Sequence, residues 1–296
     1  MTDISDTPVQ TFNPNPTKPV LRLPAGACDA HVHVFGPAAR FPFSPARHIT
    51  PMDAPKEALF ALHKMLGVSR CVIVQTVIHG YDNRVVEDAI EAGQGRYLGV
   101  ALVPLNVADA ELRRLAESGF RGVRFNFMKH LSAAINTEEL LGLTHRLKSL
   151  GMHLQVHFES SLVHELTPIF MRSAVPVMVD HIGRVNASEG LTGADFAGLV
   201  NLLKSPHMHV KVSGVDRIDP LALASPPYPN GVALAQHLLA EFPDRCVWGT
   251  DWPHPNHNHT PDEGVLVDTL TRVAPQAGLL EKLMVTNPQN FYRFSA

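Results

Sequence analysis

Eight short runs rich in Val and Ile, alternating with longer segments of helical period along 296 residues, predict an α/β chain folded as a (β/α)8 TIM barrel. Strand alternating with helix implies parallel strands, because a parallel neighbour is reached only through a crossover. The count of eight favours a closed barrel over an open doubly wound sheet. So does the absence of a G-x-G-x-x-G after an early strand and of a G-x-x-x-x-G-K-[ST] anywhere.

The predicted strands cover 27–35, 71–78, 98–105, 120–127, 153–158, 175–182, 209–215 and 246–252. Between them, 55–66, 82–92, 108–117, 137–150, 162–171, 195–203 and 231–241 place apolar residues three to four apart, the spacing of one helix face. Residues 1–24, polar and proline-rich, read as an N-terminal arm, and 25–296 as a single barrel domain. The length beyond the roughly 250 residues typical of the fold sits in the arm and in the loop 36–53.

With 45% hydrophobic and 18% charged residues, the chain can bury a large core without disulfides or a partner. Its formal net charge of -3 offers no general attraction for nucleic acid or an anionic membrane. No run approaches the roughly 18 apolar residues of a membrane span, and the arm lacks the charged start and apolar stretch of a secretory signal. Cys28, Cys71 and Cys246 are odd in number and lie in apolar runs, so they read as buried thiols in a reducing compartment. A cytoplasmic protein acting on small molecules is the expectation.

A barrel builds its active site at the C-terminal ends of its strands, so the informative residues are the reactive side chains found there. Strand one ends in Asp29-Ala30-His31-Val32-His33, and side chains two apart share a face. Strand five carries His157 and Glu159, strand six Asp180 and His181 with Arg184 following, and strand eight Asp251 with His254 beyond it. Strand four adds Arg124 and Asn126, strand two Gln75 and His79, and strand seven ends near Arg217.

Imidazoles and a carboxylate converging from several strands suit a divalent transition metal, zinc above all, which lowers the pKa of bound water towards about 7. His31, His33, His157, His181 and Asp251 are the candidates for such a site, and an aspartate beside the metal-bound water can serve as general base. Arg124, Arg184 and Arg217 at the mouth suit an anionic substrate, since a guanidinium grips carboxylate or sulfonate through paired donors; the alternative for each is an internal salt bridge. Lone histidines such as His79 and His153 read as hydrogen-bonded structural groups. His254, His257 and His259 read as a solvated loop with only His254 near the site, and Arg70, Arg113 and Arg114 as surface charges.

Five segments together carry a family resemblance: Asp29 to His33, Phe41-Pro42-Phe43-Ser44-Pro45, Gly122-Val123-Arg124-Phe125-Asn126-Phe127, Asp180-His181-Ile182-Gly183-Arg184, and Trp248-Gly249-Thr250-Asp251-Trp252-Pro253-His254-Pro255. In combination they resemble the lactonase branch of the amidohydrolase superfamily, over nearly the whole chain after the arm. The resemblance implies hydrolysis of a small anionic lactone from aromatic-compound breakdown. In that reading Asp251 activates water, His31, His33 and His181 polarise the lactone carbonyl directly or through a metal, and the three arginines hold acidic substituents. Branch members that act on a pyrone dicarboxylate without a metal carry a tyrosine on strand five and an arginine after strand four, where this sequence has His157 and His130. They also carry a tyrosine near His48 and Ile49, which is absent here. Those departures point to zinc and to a sulfonated muconolactone ahead of the pyrone, with Gln75, His130 and His254 as further substrate contacts. A non-oxidative decarboxylase with a similar histidine and aspartate set is the rival enzyme, and a small-acid or metal sensor the rival outside catalysis.

Overall fold

The computed structural model describes residues 7–128, 135–221 and 223–295. Eight parallel strands pair in sequence order: β1 (Cys28–Val32), β2 (Arg70–Val74), β3 (Tyr97–Ala101), β4 (Phe120–Phe127), β5 (His153–Phe158), β6 (Val177–Val179), β7 (Met208–Lys211) and β8 (Cys246–Val247). The last strand returns to the first. Ala30 N donates to Trp248 O at 2.8 Å, Asp251 N to His31 O at 2.8 Å, and His33 N to Trp252 O at 2.7 Å. Gly249 makes this seam possible, because a Cβ there would stand 2.4 Å from the backbone nitrogen of His31.

Alternation along the strands separates two apolar regions. Cys71 and Ile73 face the layer of helices, whereas Val72 and Val74 join Cys28, Ala30, Leu98, Val100, Met178 and Val247 inside the barrel, with Tyr292 and Phe294 packed against them. The outer layer contains α1 (Lys56–Leu66), α2 (Arg84–Ala92), α3 (Asp109–Glu117), α4 (Thr137–Ser149), α5 (Val163–Phe170) and α6 (Ala194–Leu203), all close to the predicted helical segments. A one-turn α7 (Val215–Ile218) carries Arg217 on its way to α8 (Pro229–Glu241). Side-chain caps hold two helix starts: Asn136 accepts from Glu138 N and Glu139 N at α4, and Asp262 accepts from Gly264 N and Val265 N at α9 (Glu263–Val273). This ninth helix, α10 (Ala277–Glu281) and α11 (Asn287–Tyr292) follow the last strand, beyond the predicted helices.

Strands six to eight are shorter than predicted. Their final residues leave the sheet to form the mouth. His181, Ile182, Gly183 and Arg184 all have positive φ, and Asp251 has φ 64°. Side-chain-bearing residues reach this left-handed region at a cost on the order of 1 kcal/mol each, and such strain gathers where a site demands a particular projection.

Residues between Phe12 and β1 are tied to the barrel. Thr17 donates to Asp262 from its nitrogen at 2.9 Å and its hydroxyl at 2.6 Å, and Phe12 packs edge-on to Trp252 at 5.2 Å. Arg70, expected on the surface, instead bonds Gly26 O and Val285 O beneath the barrel. All three cysteines are buried and free, and burial raises each thiol's pKa. Among the described residues no helix is long and apolar enough to cross a membrane.

Candidate active site

Asp29 builds the junction on which the site stands. Fully buried, it accepts from His31 N at 3.1 Å, Thr250 N at 3.0 Å and Thr250 Oγ1 at 2.6 Å, fixing the end of β1 against the turn that carries Asp251. The β1–β2 register shifts between Asp29 and Val32, so His31 and His33 take the interior face that Cys28 and Ala30 hold below.

Asp251 is the centre. Its Oδ2 accepts from Arg217 Nε, while Oδ1 has no hydrogen-bond partner and faces His33 Nε2 at 3.2 Å, His31 Nε2 at 3.5 Å and His181 Nε2 at 3.7 Å. Burial pushes this carboxyl up, but Arg217 first and then His181 outweigh it, and the group stays well below the usual carboxylate range. It is an ionised carboxylate.

Each imidazole is oriented through its other nitrogen. His33 Nδ1 donates to Val74 O at 2.7 Å, which leaves Nε2 without a proton in the neutral ring. His157 Nδ1 donates to Asn126 Oδ1 at 3.1 Å, and its buried Nε2 has no partner. His181 Nδ1 meets Ser213 Oγ at 3.1 Å. Burial keeps His157 and His181 neutral, with pKa values well below the ordinary one, and with Lys211 beside it His31 falls to about 3.

A charged network lies beneath. Asp180 Oδ2 accepts from Arg124 Nε at 2.8 Å and Gln155 Nε2 at 3.2 Å, and Lys211 Nζ stands 3.6 Å from Oδ1. Lys211 is completely buried; burial lowers its pKa to about 8, with Asp180 opposing the fall.

His31, His181 and Asp251 each offer one donor atom within 4.8 Å of the others. His31 Nε2 and Asp251 Oδ1, both without a hydrogen-bond partner, converge with His181 Nε2 into a nitrogen and oxygen donor set of the kind a divalent cation takes. His33 and His157 border this trio without belonging to it, and both line the central cavity.

Arg124, Arg184 and Arg217 also line the cavity. Arg124 and Arg217 are engaged with carboxylates, whereas Arg184 makes no hydrogen bond or ion pair among the described residues. Burial and the neighbouring Arg217 lower its pKa to about 10, so it remains cationic and unpaired. Two proposed contacts turn elsewhere. Gln75 is spent on Thr76 N and Asp82 O, and His254 pairs with Glu263 at 3.0 Å; neither lines the central cavity. His130 lies outside the described residues. The histidine loop is not solvated as expected, since His257 binds Asp216 at 2.6 Å and His259 meets Tyr228 at 3.0 Å. His79 is structural, contacting Pro42 O and Gly36 N.

Sequence reading missed Asp29 and Ser213 as orienting groups, Lys211, and His48, which reaches the cavity from the loop 36–53. An Asp next to a strand-end His-x-His, and a lysine inside a strand, were the available signals.

Comparison with known proteins finds relatives over nearly the whole chain. The chain is 44% identical over 289 residues, 94% of its length and 93% of the relative's, to a 2-pyrone-4,6-dicarboxylate hydrolase of Comamonas testosteroni. It is 36% identical over 274 residues, 91% of its length and 89% of the relative's, to a 4-sulfomuconolactone hydrolase of Hydrogenophaga intermedia. A crystal structure of a putative 2-pyrone-4,6-dicarboxylic acid hydrolase from Pseudomonas putida matches with TM-score 0.79 at 28% identity, over 93% of this chain and all of that one. The family described as amidohydrolase matches residues 28–294, the entire barrel with its seam and its mouth, and the chain belongs to that family.

Proposed function

We propose that this chain hydrolyses a small anionic lactone, with Asp251 as the base that activates water. One observation carries the reading: a buried, ionised Asp251 holds one oxygen on Arg217 and presents the other, unbonded, to three imidazoles in a cavity that also receives the unpaired Arg184. Asp251 Oδ1 takes a proton from water as the oxygen attacks the lactone carbonyl. The developing oxyanion is stabilised by His31 and His181, since His33 and His157 hold their ring protons on Nδ1 and have none to offer it. Protonated Asp251 then returns the proton to the ring oxygen as the ester C–O bond breaks, giving a hydroxyl and a carboxylic acid that releases its proton to solvent as the carboxylate forms. Arg184 and the free donors of Arg124 and Arg217 hold the substrate's acidic groups.

His31, His33, His157, His181 and Asp251 are the residues that would hold a metal. Zinc suits this nitrogen and oxygen set, and when bound it supplies Lewis acidity and a more acidic water. The relatives suggest two substrates. The higher identity favours 2-pyrone-4,6-dicarboxylate, whereas His157 and His48 at positions where tyrosines were expected favour 4-sulfomuconolactone. Three buried thiols fit a reducing, cytoplasmic setting.

Purified protein mixed in weak buffer with each lactone and with aromatic carboxylic acids tests the assignment. Proton release with ring opening, lost in Asp251→Asn, is expected. Carbon dioxide release from the acids in place of lactone opening would establish the decarboxylase reading instead.

A further inference from the structure

Lys211 lies on β7 directly beneath the site, has no access to solvent, and does not line the cavity. Its nitrogen faces three acceptors: Ala30 O at 2.9 Å, His31 Nδ1 at 3.1 Å and Asp180 Oδ1 at 3.6 Å. An ammonium group carries three hydrogens and accepts none, so whatever faces it must accept. His31 Nδ1 has one competing neighbour, Asp180 Oδ1 at 3.3 Å, but that pair is a charge contact lacking hydrogen-bond direction, and Oδ1 ends without a hydrogen-bond partner.

We infer that Lys211 is a positioning residue that fixes the tautomer of His31, donating to Nδ1 and so keeping the ring proton on Nε2. His31 thereby differs from its neighbours. His33 and His157 donate through Nδ1 and show a bare Nε2 to the cavity, as a metal ligand must, whereas His31 shows an N–H to Asp251 and to whatever oxygen lies between them. His31, one of the three groups that approach within 4.8 Å of one another, then has to move its proton before it can ligate. The lysine weakens the centre's hold on a cation and supplies a hydrogen-bond donor in its place. The tautomer stands independently of the lactonase reading; only the use of that N–H on a lactone carbonyl rests on it.

Nitrogen-15 NMR of histidine-labelled wild-type protein without metal, with His31 assigned by the signal lost in His31→Gln, reads the tautomer directly. The expected spectrum shows His31 protonated at Nε2 and His33 at Nδ1. In Lys211→Met, Asp180 becomes the sole partner of Nδ1. The His31 proton should shift to that nitrogen, and zinc affinity measured by chelator competition should rise about 10- to 100-fold, the range in which partners of ligating histidines act. A wild-type His31 protonated at Nδ1 would overturn the inference, whether or not the variant folds, and so would unchanged zinc affinity in a folded Lys211→Met. Neither readout depends on which lactone, if any, the protein opens.

Discussion

Arg217 Nε donates to Oδ2 of Asp251 and leaves Oδ1 as the atom that faces the imidazoles of His31, His33 and His181. This division of one carboxylate between a fixed oxygen and a free one sets both its orientation and its charge. Two consequences for solution behaviour follow from it and from the groups around it, and a third from the buried histidines of the barrel.

Arg217 opposes the effect of burial on Asp251, and Arg217→Met removes that opposition. The carboxyl's pKa rises, and since only the ionised form accepts a proton, activity is lost from a higher pH downward. The acid limb of the kcat/KM profile should move up by about one to three pH units, the usual effect of one adjacent opposite charge. A lower rate with an unmoved acid limb would mean that Asp251 is not the titrating base.

Arg184 lines the mouth and has no hydrogen-bond or ion-pair partner among the described residues, so its contribution should fall on substrate charge. Arg184→Met should lower kcat/KM for a carboxylated or sulfonated lactone about 10- to 100-fold, mainly through KM, as loss of a charge-assisted hydrogen bond does. A neutral lactone should be unaffected. Steady-state kinetics on a matched pair of lactones decides, and equal losses on both would remove Arg184 from anion binding.

Burial holds His31 and His153 neutral to about 3 and His209 to about 4, against an ordinary value of 6.5. The unfolded chain therefore takes up protons that the folded chain refuses. Stability falls as pH drops below 6.5 and continues to fall towards the folded-state values, each histidine removing up to about 2 kcal/mol by pH 5. The depressed carboxyls Asp180 and Asp251 add to the loss only at lower pH, below the normal carboxylate range. Denaturant midpoints at pH 7 and pH 5 should differ in that direction; equal midpoints would contradict the burial of neutral imidazoles.

The barrel was legible because its evidence is periodic. Val72 and Val74 inside, with Cys71 and Ile73 outside, repeat a pattern that short-range spacing records. His31, His33, His181 and Asp251 were legible as strand ends, and alternation kept the first two together. Alternation did not show which face they take, because that depends on a register shift between Asp29 and Val32 that involves β2. Gln75 and His254 had suitable types and positions, yet local partners, Asp82 O and Glu263, claim their side chains. Lys211 was hidden for the opposite reason. A lysine in a strand reads as an edge or surface charge, and only the approach of Asp180 and Ala30 from two other strands makes a buried ammonium tenable.

Ring opening of 2-pyrone-4,6-dicarboxylate or 4-sulfomuconolactone in heavy-oxygen water, followed by mass spectrometry of the product, tests the central claim most directly. Water activated by Asp251 and delivered to the carbonyl should place one solvent oxygen in the newly formed carboxylate, and Asp251→Asn should form no labelled product. Turnover of neither lactone, or solvent oxygen found on the hydroxyl-bearing carbon instead, would contradict the account.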